Sequence, residues 1–109
     1  MIDGEKKEVG GIDFYIEILN YNNLNMNEKK ILNLIWELSI KDQSLTVGNS
    51  FFRSIYPNIS NYNLNATIKS LKDKNYIHAE FPNNNIKSTK GRKIFLNKGE
   101  INHGKSKWI

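Results

Sequence analysis

Hydrophobic and polar positions repeat along this chain at two periods, one near two residues and one near three and a half. In IDFYIEI (residues 12–18), Ile12, Phe14, Ile16 and Ile18 alternate with Asp13, Tyr15 and Glu17. That is strand periodicity, and the β-branched content favours it over a helix built on Ile12, Ile16 and Leu19. NYNN breaks the pattern. LNMNEKKILNLIWELSIKD (residues 24–42) then carries Ile31, Leu34, Ile35 and Leu38 at helical spacing. Asn25 and Glu28 stand at capping-box distance ahead of that stripe. Trp36 falls off the stripe and is expected to pack on the leading strand or on a partner chain. LTV is a short strand candidate.

NSFFRSIY (residues 49–56) reads as a short second helix that gives Phe51, Phe52 and Ile55 to the core and ends at Pro57. PNIS forms the turn, and Ser60 is a good N-cap for a third helix running to about Lys74. Leu64, Ile68 and Leu71 mark its buried side. Asn61, Asn65, Lys69 and Lys72, with Tyr62 beside them, mark the other. YIHAEF follows as a strand, with Ile77, Ala79 and Phe81 alternating against His78 and Glu80. PNNNIKSTKG is a polar, turn-rich loop, and RKIFLN returns as a second strand with Ile94 and Leu96 on one face. Two strands joined by an extended loop make a hairpin with a protruding tip. The expected architecture is α+β: a flexible leader (1–11), one domain (12–97) and a basic C-terminal tail (98–109).

Composition narrows the field. The hydrophobic and charged fractions, 39% and 25%, are those of a folded globular chain. No apolar run reaches the roughly 20 residues of a membrane span, so no membrane insertion is expected. MIDGEKKEVGG lacks the apolar core of a secretory signal, and cysteine is absent, so the expected location is cytoplasmic. Charge is segregated. Residues 1–82 hold nine Lys/Arg against ten Asp/Glu, whereas residues 83–109 hold seven against Glu100 alone. A localised positive excess of this kind points to a polyanion, with nucleic acid the first candidate.

The order of helices, turn and hairpin resembles the winged helix-turn-helix family over roughly residues 24–97. NEKKIL looks like the family's first helix. Phe51 to Ile77, with LKDKNYI closing the third helix, is similar to its helix-turn-helix, and GRKIFLN resembles the returning wing strand. The whole chain also resembles small winged-helix proteins of clostridial conjugative plasmids in length, Asn/Lys/Ile-rich composition and the basic wing KSTKGRK. Proteins of that type bind the origin of transfer and help the relaxosome. The resemblance implies a non-catalytic protein that binds duplex DNA, with a homodimer and other conjugation or relaxosome proteins as further partners. A transcriptional or replication regulator of a plasmid or phage would need much the same residues. The reading from another class is a winged helix whose basic face docks an acidic protein.

On the third helix, Asn61, Asn63 and Asn65 suit adenine edges, Tyr62 and Ala66 suit a thymine methyl, and Ser60 and Lys69 suit phosphate. On the wing, Lys87, Lys90, Arg92 and Lys93 stand among Asn83, Asn84, Asn85, Ser88 and Thr89. Lysine supplies sequence-blind attraction, and Arg92 is expected to grip guanine or enter a narrow minor groove. The wing is expected to contribute at least as much binding as the helix. Dimer contacts are expected from IDFYIEI and Trp36. His78 and His103 lack metal-ligand neighbours at useful spacing, and no phosphate loop or nucleophile–base set is present. No catalytic residue, metal or cofactor is therefore expected.

Overall fold

The computed structural model describes residues 5–40, 44–46, 48–81 and 91–97. The fold is α+β. Strands β1 (Lys6–Val9) and β2 (Ile12–Tyr15) precede helices α1 (Ile16–Leu19) and α2 (Met26–Ser39). Strand β3 (Ser44–Thr46) leads to α3 (Asn49–Ile55) and α4 (Asn61–Asp73), and β4 (Ile77–Glu80) and β5 (Lys93–Leu96) complete the order. The strands form an antiparallel β1–β2 hairpin and a separate sheet ordered β3-β5-β4, with β5 antiparallel to both neighbours.

The expected leader is partly a strand. Lys6 pairs with Tyr15 and Val9 with Ile12 across a two-residue Gly10-Gly11 turn. Both glycines have positive φ, +59° and +82°, the left-handed pair that a tight hairpin of this twist requires. The strand expected over residues 12–18 stops at Tyr15. The Ile16 N–H bonds Glu5 C=O at 3.0 Å, closing the hairpin, and the Asn20 N–H then reaches Ile16 C=O at 3.1 Å. That helical turn buries Ile18 completely and leaves Ile16 and Glu17 half-buried.

Helix α2 has the expected capping box. The Glu28 N–H donates to Asn25 Oδ1 at 2.8 Å, and the Asn25 N–H donates to Glu28 Oε1 at 2.7 Å. Its buried face is rotated from the expected stripe. Leu34 and Leu38 are half-buried, while Leu32 and Trp36 join Ile31 and Ile35 in the core. The β1–β2 hairpin is the reason, because it covers the flank that would otherwise meet solvent. Trp36 has no solvent exposure and stacks on Tyr15 with ring centroids 5.3 Å apart. It packs on the leading strand, so neither it nor buried Phe14, Tyr15 and Ile18 is available as the expected dimer contact. Asn33, also buried, sutures the outer edge of β2: its Nδ2 donates to Asp13 C=O at 3.0 Å and its Oδ1 accepts the Tyr15 N–H at 2.9 Å.

Between α3 and α4, Arg53 Nε donates to Ile59 C=O at 3.1 Å and fixes the turn. Phe52 is buried and Phe51 half-buried as expected, but Ile55 is exposed, because it ends α3 on the side away from the core. Leu64, Ile68 and Leu71 of α4 are buried as their spacing predicts, joined by Thr67. The helix closes in a Schellman arrangement, with the Tyr76 N–H bonded to Leu71 C=O at 2.9 Å and the Asn75 N–H to Lys72 C=O at 3.0 Å. Asn75 takes the left-handed position at φ +68° and aims the chain into β4. In β4 the residues alternate buried and exposed from Ile77 to Glu80.

One polar cluster sets α4 against α2. The Glu28 side chain, 3% exposed, accepts from the Ser70 hydroxyl and from Lys74 Nζ at 3.0 and 3.2 Å. Lys74 also donates to Asn23 C=O at 2.5 Å, and the Tyr76 hydroxyl donates to Asn23 Oδ1 at 2.9 Å. Burial of the Glu28 carboxyl pushes its pKa up, but Ser70, the Asn25 N–H and Lys74 together outweigh it, leaving the group below its ordinary value of 4.5.

A carboxyl whose folded pKa is depressed stabilises the protein above its unfolded pKa and loses that contribution as pH falls through the folded value. The melting temperature should therefore fall as the pH drops below about 4.5, and thermal melts of Glu28→Gln should show a flatter acid limb. Asn33→Ala leaves the Tyr15 N–H and Asp13 C=O without the partner they have now. A loss of about 2 kcal/mol in urea unfolding is expected.

Candidate nucleic-acid interface

The exposed side of α4 begins at its cap. The Asn63 N–H donates to Ser60 Oγ at 3.1 Å, so the hydroxyl oxygen is committed to the helix while its own proton can still be offered to an anion. Asn61, Tyr62, Asn63, Asn65 and Ala66 of the first turns are exposed, and Tyr62 is 81% accessible. Such exposure for an aromatic residue at the start of a polar helix face is not explained by the core. Asn65 is partly engaged: its Oδ1 accepts from Asn49 Nδ2 at 2.7 Å, which ties the exposed polar face of α4 to the start of α3 and leaves the Asn65 amide nitrogen as a donor. Lys69 pairs with Asp73 one turn on at 2.7 Å, both well exposed, a contact worth little in water and readily exchanged. Lys72 lies with its Nζ 6.0 Å from the Phe81 ring centre.

Of the expected wing residues, Asn83, Asn84, Asn85, Lys87, Ser88, Thr89 and Lys90 lie outside the described residues, as do His103 and the expected tail. Gly91, Arg92 and Lys93 are described, and Arg92 departs from expectation. Its side chain is 1% exposed, with the guanidinium 5.8 Å from the Phe52 ring centre, so it is not the base-gripping group that its place in a basic cluster suggested. The cause is strand parity. Gly91, at φ +78°, ends the loop, and from there Arg92, Ile94 and Leu96 alternate inward while Lys93 points out. Burial lowers the Arg92 pKa to about 10, which still leaves a cation at neutral pH. Arg92 thus binds the base of the hairpin to α3, and Lys93 is the described outward cation of that strand.

Arg92 also lines a groove of about 270 Å³ between α4 and the sheet, with apolar lining from Ile68, Ala79 and Phe81 and polar lining from Asn65, Lys69 and Lys72. Sequence reasoning missed both this groove and the Asn49–Asn65 link. The parity of Ile94 and Leu96, carried two residues back, would have placed Arg92 inside. Nothing in the sequence pairs Asn49 with Asn65.

Among the described residues, no helix is long and apolar enough to cross a membrane, and no three His, Cys, Asp or Glu side chains are gathered to hold a metal. Compared with family models, curated proteins and solved structures, the chain matches none.

Arg92→Ala should lower stability by about 2–3 kcal/mol in chemical unfolding, through lost packing and cation–π contact. Lys93→Ala should leave stability within about 0.5 kcal/mol.

Proposed function

We propose that the protein is a non-catalytic winged helix-turn-helix protein that binds duplex DNA by sequence. The observation that carries this reading is the uncommitted polar face of α4, led by Asn61, Tyr62 and Asn63, projecting from a helix-turn-helix braced by a β3-β5-β4 sheet. Asparagine amides suit adenine edges in the major groove, and an exposed tyrosine ring suits a thymine methyl or a deoxyribose. The charge distribution adds support, since residues 83–109 carry seven Lys/Arg against one acid. In this reading Lys87, Lys90 and Lys93 supply phosphate attraction, α4 supplies base discrimination, and Arg92 supports the wing from within.

More particularly, the protein is proposed as an accessory factor at a plasmid origin of transfer, similar in size, layout and basic wing to the relaxosome protein TcpK. A domain of this size covers few base pairs, so two copies or repeated sites would provide useful specificity. Other conjugation proteins would then be its partners.

Selection from a random duplex library, followed by binding titrations between roughly 50 and 200 mM salt, tests the reading. A recurring motif should emerge, with affinity that falls steeply with salt. The combined variant Asn61→Ala, Tyr62→Ala, Asn63→Ala should weaken binding to that motif at least about tenfold and keep residual non-specific binding, because lysine contacts remain. Its melting temperature should be close to that of the parent. Equal affinity for every duplex would refute the proposal.

A further inference from the structure

The groove between α4 and the sheet combines a ring-sized apolar lining with a positive electrostatic character. Ile68, Ala79 and Phe81 offer flat or small hydrocarbon surfaces, and Lys69, Lys72 and Arg92 bring three cations to the same space of about 270 Å³. Roughly 150 Å³ suffices for a benzene-sized guest, so this volume takes a larger ring or a substituted one. No carboxylate stands among the described residues that line it. Strand parity explains why: Ala79 faces the groove, while His78 and Glu80 project from the other face of β4, 3.6 Å from each other. Asp73 is the nearest acidic residue on α4, and it is held by Lys69 in an exposed pair. Lys72 thus brings its positive charge to a partly apolar site, 6.0 Å from an aromatic ring that does not neutralise it.

We propose that this groove binds a compact organic carboxylate with an aromatic or branched apolar body. The body lies against Ile68, Ala79 and Phe81, and the carboxylate is held mainly by Lys72, with Lys69 exchanging its surface partner Asp73 for the ligand. A neutral ring would forgo the charge contact, and a bare inorganic anion would leave the hydrocarbon lining wet; the pairing of the two surfaces selects a molecule that has both parts. Asn65 and Lys69 belong to the groove and to the polar face of α4 alike. Occupancy would therefore oppose duplex binding, a consequence that rests on the DNA-binding reading, whereas ligand binding itself does not.

The test uses the full chain without DNA and 2-naphthoate as the probe. Fluorescence titration should saturate, and amide NMR shifts should centre on Lys69, Lys72, Ala79 and Phe81. Lys72→Gln, a surface change that leaves the melting temperature in place, should weaken the probe about fivefold or more. The neutral analogue 2-naphthalenemethanol should bind parent protein as weakly as 2-naphthoate binds that variant. The proposal is overturned if the alcohol binds as well as the acid, if Lys72→Gln changes nothing, if the shifts centre on exposed Met26 or Ile40 instead, or if inorganic phosphate displaces the probe at equal concentration. A separate arm adds duplex DNA. Release of DNA by 2-naphthoate supports both readings, whereas saturable probe binding by a protein that retains no DNA supports the groove and removes the DNA-binding reading.

Discussion

The position of α4 depends on a buried carboxylate. Glu28 belongs to α2 by its capping box and to α4 by Ser70 and Lys74, so one side chain both starts a helix and anchors another 42 residues away. The arrangement is stable because each oxygen that burial strips of water is given hydrogen-bond donors in return, and Lys74 supplies the opposite charge. Hydrophobic contact alone holds α4 less specifically. Leu64, Ile68 and Leu71 would accept small rotations about the helix axis, whereas a charged pair with several donors accepts one arrangement. The direction in which Asn61, Tyr62 and Asn63 project is thus governed from the far end of their own helix.

The hairpin at the other side of α4 follows a second rule, that cations divide by strand parity. Arg92 goes inward to Phe52, and Lys93 goes outward. Guanidinium is suited to the inward place, since it stacks on an aromatic face and carries weaker hydration than an ammonium. Lysine is suited to the outward one, where a strongly hydrated, mobile charge stays in water. Neighbours in a basic run can therefore have opposite tasks, and the count of positive residues overstates how many reach a ligand.

Much of this order was legible from periodicity. The limits of α2, α3 and α4 follow from Asn25, Pro57 and Ser60, and the buried side of α4 follows from Leu64, Ile68 and Leu71 spaced at helical intervals. The first twenty residues were harder. Gly10-Gly11 carries a two-residue hairpin signal, but polar KKEV on one side masked it as a strand. Adjacent Phe14 and Tyr15, both buried, are a place where alternation fails because two elements meet there. Trp36 packs on the leading strand, one of the two places expected for it, and the hairpin thereby widens the buried face of α2 beyond the stripe that spacing marks. Ile55, at the end of α3, falls outside the core. The candidate DNA face was visible as residue types; its link through Asn49 to α3 is a tertiary contact with no local pattern.

Asn33 shows how such a small sheet avoids an unwanted extension. Its amide lies along β2 as a neighbouring strand would, giving one acceptor and one donor to the backbone groups on that side. Two backbone groups on the outer margin of β2 are thereby closed to another strand, while the exposed Lys6–Val9 strand is charged along most of its length. A side chain at the centre of α2 thus does for the margin of a two-stranded sheet what a third strand would do.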